Sequence, residues 1–270
     1  MCFFAITLSP GKERGGMRHF CGRMKIIGII PARYDSKRFP GKVLADLFGK
    51  PLIQRVYEQA KKVELLDDIL VATDNEEIFK VVENFEGKAI MTSSNCRSGT
   101  DRVAEVARGL NADIFVNIQG DEPLISPEVI SKVAQVLIED KTIDIATVAR
   151  KITTQKELNN PNVVKVVIDN DGFALYFSRA QIPYVRDSLE LESLGSVSYK
   201  HIGLYTYRRD FLLNFVHMEE SALEKVEDLE QLRALENGYK VKVVITEYDS
   251  VGVDTREDLE KVRKILKNSG

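Results

Sequence analysis

Lys25-Ile26-Ile27-Gly28-Ile29-Ile30 runs without a polar break into Pro31-Ala32-Arg33-Tyr34-Asp35-Ser36-Lys37-Arg38-Phe39-Pro40-Gly41-Lys42. The first six residues read as a strand buried on both faces, because an apolar, β-branched run leaves no side for solvent. The basic stretch after them reads as a loop. Lys50 to Val63 then places Leu52, Ile53, Val56, Ala60 and Val63 on one helical face. Strand, loop and helix repeat from there. Ile69–Ala72 is a strand, and Asn75 caps a helix that turns Ile78, Val81, Val82 and Phe85 inward. Ala89–Met91 is a short strand, Thr100–Leu110 a helix and Ile114–Ile118 a strand. Ser126-Pro127 opens a helix to Ile138, and Ile143–Val148 is the next strand. Alternation of this kind predicts an α/β fold with a mostly parallel central sheet and helices on both faces.

The rhythm changes after residue 160. Val163–Ile168 and Phe173–Phe177 flank Asp169-Asn170-Asp171-Gly172, the composition of a tight turn between antiparallel strands. Arg186–Ser198 is polar and aperiodic, which predicts a loop, and His201–Tyr207 alternates like a strand. Asp210–Phe215 and Glu227–Glu236 read as helices, Lys240–Thr246 as a strand and Thr255–Leu266 as a last helix. The expected organisation is one domain over 24–270 with an antiparallel excursion near 163–207.

Met1–Arg23 differs from the rest. It holds Cys2 and Cys21, two glycine-containing breaks, and Lys12, Arg14, Arg18 and Arg23 against the single acid Glu13. Its basic residues follow its short apolar run, the reverse of a secretory signal. The expectation is a disordered N-terminal extension, or one that arises from an upstream start codon with Met24 as the working start.

The chain has 270 residues, with 38 Lys and Arg against 41 Asp and Glu, for a formal net charge of −3. That balance argues against coating nucleic acid or a membrane surface, while leaving room for a local basic site. Three cysteines (Cys2, Cys21, Cys96) form no CxxC pair, so a reducing, cytoplasmic setting is expected. No apolar run approaches a spanning length, and three histidines at no metal spacing disfavour a zinc enzyme. No serine stands in GxSxG.

In doubly wound sheets, ligands bind beyond the carboxyl ends of the strands, so the segments after strands carry the candidate chemistry. Arg33–Lys42 holds four basic residues in ten, a set of guanidinium forks and ammonium groups suited to polyphosphate. It is neither a Walker A loop nor a dinucleotide fingerprint. Gln119-Gly120-Asp121-Glu122-Pro123 follows a strand directly, and Asp121 there can hold Mg²⁺ against substrate phosphates. Glu122 reads as structural. Gly252-Val253-Asp254-Thr255 precedes the last helix. Alone, Asp254 is an ordinary helix-start acid, but together with Asp121 it completes a two-carboxylate metal site. Ser98-Gly99-Thr100-Asp101-Arg102 opens a helix whose amides favour anions or polar base edges.

Nine ordered blocks then meet a known pattern: IIPARYDSKRFPGK (29–42), ATDNEE (72–77), SGTDR (98–102), NIQGDEP (117–123), NPNVVKVV (160–167), ALYFSRAQIPY (174–184), KHIGLYTYRRDFL (200–212), LEQLRALENG (229–238) and GVDTREDLEKV (252–262). Residues 24–268 resemble the 3-deoxy-manno-octulosonate (Kdo) cytidylyltransferases. The resemblance implies a nucleotide-diphospho-sugar transferase (Rossmann-like) fold and the reaction of CTP with Kdo to give CMP-Kdo and diphosphate. It also implies Mg²⁺, a homodimer and a place in lipopolysaccharide biosynthesis. Carried over by position, Arg33 and Lys42 bind phosphates, Asp121 and Asp254 hold the metal, and Ser98 and Gln119 lie near the cytidine. By the same resemblance Arg179, His201, Tyr205, Glu230 and Gln231 line the sugar-acid site. Three alternatives stand beside it: a CMP-sialate synthetase, a sugar-1-phosphate nucleotidyltransferase, and a non-catalytic nucleotide-binding protein. The second would open on a glycine-rich loop where Pro31-Ala32-Arg33 stands here, and the third sits poorly with two retained aspartates.

Overall fold

A computed structural model describes residues 23–36, 38–184, 186 and 197–268. The extension expected over 1–23 lies outside these residues apart from Arg23, as does most of the loop expected over 186–198. The opening strand forms as read: β1 (Ile26–Ala32) has Ile26, Ile27, Ile29 and Ile30 all buried. Parallel to it on one side lie β2 (Asp68–Thr73) and then β3 (Ala89–Met91), and on the other β4 (Ile114–Asn117). The helices between them are α1 (Leu52–Ala60), α2 (Glu76–Asn84) and α3 (Gly99–Arg108). Asn75 caps α2 through its side chain, accepting from the amides of Glu77 and Ile78. After β4 come α4 (Pro127–Glu139), β5 (Ile145–Lys151) and the short α5 (Gln155–Asn159).

The antiparallel part is present and central. β6 (Lys165–Ile168) and β7 (Ala174–Ser178) form the expected hairpin. β8 (Tyr199–Arg208) lies in the middle of the sheet, antiparallel to β4 on one side and β5 on the other. β9 (Val241–Ile245) completes the order β3-β2-β1-β4-β8-β5-β9, parallel to β5. Because β8 reverses direction between β4 and β5, β9 again runs the same way as β1 and β4.

Alternate residues of each strand face two cores. Ile26, Ile30, Val116 and Leu204 pack with α1, α2, α4 and the last helix, α9 (Arg256–Asn268). Ile27, Ile29, Phe115 and Tyr207 pack with α3, α6 (Arg209–Phe215) and α8 (Gln231–Glu236). One expected helix is corrected. Glu227–Glu236 is not continuous: α7 (Ala222–Glu227) ends at Asp228, whose φ is 52°, and α8 begins at Gln231. Ser221 and Glu224 form a capping box that starts α7 as a helix of its own. The carbonyls of Glu227 and Asp228 accept from the Arg179 guanidinium, which holds the break open. Hydrophobic periodicity does not register that contact. No helix among the described residues is long and apolar enough to cross a membrane.

Candidate active site

The carboxyl ends of β1 and β4, with the segment that follows β9, enclose a cleft of about 600 Å³. Two glycines shape it. Gly41 sits at φ +68° under the Tyr34 ring, donates its amide to the Tyr34 carbonyl at 2.9 Å, and turns the basic loop back toward β1. At Gly120 an added Cβ would meet the Pro31 carbonyl oxygen at 2.8 Å, so only glycine lets the turn after β4 lie against the end of β1.

Arg33, Lys42, Ser98, Gln119, Asp121 and Asp254 all line this cleft. Lys42 is its centre: the ammonium donates to Asp121 at 2.6 Å and to Asp254 at 2.9 Å. Burial alone would lower the Lys42 pKa, but the Asp121 charge and the bonds to both aspartates outweigh it and hold it raised. Arg38 donates to the other Asp254 oxygen at 2.8 Å. Asp254 reaches this point although β9 lies three strands from β4. The chain after β9 crosses the sheet edge, and the Val253 amide donates to the Asp121 carbonyl at 2.9 Å.

Gln119 donates its amide to the Gly203 carbonyl of β8 at 2.9 Å, which leaves its own carbonyl oxygen for the cleft. Ser98 caps α3, accepting from the Asp101 amide, and donates its hydroxyl to Glu230 at 3.0 Å. Thr100 donates to the other Glu230 oxygen at 2.8 Å. Burial raises the Glu230 pKa against these bonds, which favour the ionised form.

The remaining named residues lie outside the 600 Å³ cleft. Glu230 lines an adjoining depression of about 240 Å³ that shares Ser98, Arg97 and Asp228 with it. Gln231 is 5% exposed and its Nε2 is buried without a protein partner. His201 and Tyr205 stand on β8 on either side of Gly203, with ring centroids 5.4 Å apart. Thr147 faces His201 Nε2 at 2.9 Å while its hydroxyl reaches the Leu204 carbonyl at 2.9 Å. One hydroxyl has one proton, so Nε2 is assigned the hydrogen and Nδ1 is the acceptor. Burial pushes the imidazole down to about 3, so it is neutral near pH 7. Arg179 is not brought to the cleft: its guanidinium donates to the carbonyls of Glu227, Pro161 and Asp228.

Sequence reading passed over Arg97, Arg102 and Asp228, which also line the cleft. Arg102 is 4% exposed and donates to Asp74 at 2.8 Å. Both residues stand in matched blocks, and a buried arginine paired with an acid after β2 was the available signal. Glu122, read as structural, is 7% exposed with its Oε2 buried and without a hydrogen-bond partner, and burial pushes its carboxyl up to about 7.

Residues 27–244 match the family model described as cytidylyltransferase. A 3-deoxy-manno-octulosonate cytidylyltransferase of Geotalea uraniireducens is 53% identical over 250 residues, covering 90% of this chain and 100% of the relative. The chain belongs to the 3-deoxy-manno-octulosonate cytidylyltransferase family. A member from Syntrophus aciditrophicus is 53% identical over 245 residues, covering 90% of this chain and 97% of that one. Among solved structures, a CMP:2-keto-3-deoxy-manno-octonic acid synthetase complexed with CTP superposes with a TM-score of 0.86. It is 42% identical and covers 91% of this chain and 100% of its own. The family's fold is therefore the one expected from the nine blocks. Its level of identity sets this chain on the Kdo branch rather than with the alternatives raised from sequence.

Proposed function

We infer that this chain activates Kdo: the anomeric hydroxyl attacks the α-phosphorus of CTP, the bond to the β-phosphate breaks, and CMP-Kdo and diphosphate leave. The carrying observation is Lys42 joined to both Asp121 and Asp254 in a cationic cleft, within a chain 53% identical to a named cytidylyltransferase over that enzyme's whole length. Two anionic substrates have to meet here, and Arg33 and Lys42 supply the countercharge for the triphosphate and the departing diphosphate.

The donor set suits Mg²⁺. Asp121 and Asp254 converge on the Lys42 ammonium in a cleft rich in arginine, and Mg²⁺ takes one or two carboxylates with phosphate and water oxygens. Bound Mg²⁺ would supply Lewis acidity that lowers the pKa of the sugar hydroxyl and offsets phosphate charge.

In this reading Ser98 and Gln119 orient the cytidine, with Gln119 steadied by Gly203. His201, Tyr205, Glu230 and Gln231 form the sugar-acid side, and Arg179 serves it by holding the Asp228 turn. The enzyme works in the cytoplasm as a homodimer and feeds lipopolysaccharide biosynthesis. Mixing the protein with CTP, Kdo and Mg²⁺ tests the reading: diphosphate release with Kdo, and none with sialic acid or without metal, is expected. Release with sialic acid alone would move the chain to the other branch, and no release with either acid would leave a nucleotide-binding protein.

A further inference from the structure

The ten residues 246–255, between β9 and α9, form no helix or strand, yet they deliver Asp254 to the cleft. Tyr248 and Val251 of this strap pack against the core, and polar contacts tie it down at several points. At its start the Thr246 amide donates to the Ala149 carbonyl of β5 at 2.9 Å. At its end Val253 is fully buried and its amide holds the Asp121 carbonyl. Between them Ser250 lies near the buried carboxyl of Glu122, the neighbour of Asp121. Beside Ser250 stands Asp249, whose Oδ1 accepts from Arg150 Nε at 2.7 Å and from Lys200 Nζ at 2.8 Å.

Arg150 and Lys200 are directly opposed on β5 and β8. Two like charges side by side repel, and Arg150 is only 7% exposed. Glu157 of α5 pairs with Arg150 and lies 3.9 Å from Lys200, so it compensates part of this charge. Asp249 compensates the rest, and it does so from the strap. The electrostatic demand of the sheet edge therefore fixes the middle of the segment whose far end carries a metal-site carboxylate.

We propose that Asp249, gripped by Arg150 and Lys200, is a positioning residue: it locks the strap so that Asp254 is held against Asp121 for the divalent cation. The inference rests on the metal role given to Asp254 above. Asp249 itself touches neither substrate nor metal.

The test is Mn²⁺ binding to the CTP-loaded protein, read by electron paramagnetic resonance, alongside the Mg²⁺ dependence of CMP-Kdo formation. Loosening the segment that carries a metal ligand weakens metal binding, and about tenfold, the lower end of the effect of losing a ligand's supporting contact, is expected for Asp249→Asn. Turnover should recover at saturating metal, and Asp249→Glu should restore most of the affinity. A merely structural role would lower the melting temperature and leave the Mn²⁺ affinity unchanged, which overturns the proposal. Asp254→Asn runs in parallel. If it loses Mn²⁺ binding while Asp249→Asn does not, the strap lock fails and the metal reading stands. If Asp254→Asn binds Mn²⁺ as the parent does, both fail. Should Asp249→Asn fold poorly, Lys200→Met frees the same carboxylate from the other side and is read in the same way.

Discussion

Lys42 shows what one side chain can do when the fold gives it two partners. Its ammonium is held protonated by Asp121 and Asp254, so it carries a full charge well into the alkaline range. Lys42→Ala should cut turnover by about 10²–10³, the scale of one lost electrostatic contact to transition-state charge, with the circular dichroism spectrum unchanged. Asp121→Asn keeps shape and removes charge. Near-complete loss of CMP-Kdo formation is expected, with a comparable loss for Asp254→Asn. Single-turnover kinetics should show the double variant little worse than either single one, because in the proposed mechanism both hold the same ion. His201 makes a prediction of a different kind. Its folded pKa of about 3 lies below the ordinary 6.5, so the folded state disfavours the protonated ring. The stability this group supports is complete above pH 6.5 and is lost as pH falls from there toward 3. Urea unfolding across that window should show a slope that His201→Phe reduces, and an unchanged slope would mean that the ring is solvated.

At the scale of elements, the pair α7–α8 depends on one buried ion pair. Arg233 of α8 donates to Glu224 of α7 through Nε at 2.8 Å and through Nη2, with Glu224 also closing the α7 capping box. Arg233 is 4% exposed and its guanidinium lies 5.0 Å above the Phe215 ring. Arg233→Met strands the Glu224 charge in the interior, and a loss of about 3–5 kcal/mol is expected from denaturant unfolding. The Glu230 end of the same unit should loosen with it, weakening the hold on Ser98 and Thr100. Leu229, Leu232 and Leu235 repeat at helical spacing, so periodicity predicts one helix over Glu227–Glu236. At the break the left-handed Asp228 offers its carbonyl to Arg179, 49 residues away.

For the whole molecule, the described residues from Met24 onward contain both cores and every residue placed in the cleft. The Geotalea relative is matched over its full length while about a tenth of this chain is left over. A protein beginning at Met24 should therefore keep kcat/KM and melting temperature. A clear drop in either would assign the first 23 residues a part in packing or catalysis. Strand direction matters at this scale as well. With β8 inserted antiparallel between β4 and β5, the carboxyl ends of β1, β4, β5 and β9 share one edge, and the strap brings Asp254 to the cleft there.

The local sequence determined much of this. The apolar run of β1, the basic loop after it, the Asn75 cap and the β6–β7 hairpin follow from side-chain chemistry within a few residues, and that chemistry is written in the chain itself. The matched blocks likewise named Lys42, Asp121 and Asp254. Tertiary structure alone decided the rest. Alternation at His201–Tyr207 marks a strand but carries no information about its neighbours, because the residues of β8 pair with residues 48 to 94 positions away in the register of β5 and β4. Asp254 becomes a partner of Asp121 only because Val253 is buried and Asp249 is held by two opposed cations, contacts that exist once the sheet edge has formed. Arg179 stands in a block that resembles a sugar-site signature, yet its guanidinium is drawn to the Glu227 and Asp228 carbonyls, where the chain breaks between α7 and α8 and backbone acceptors need donors, and to the Pro161 carbonyl after α5.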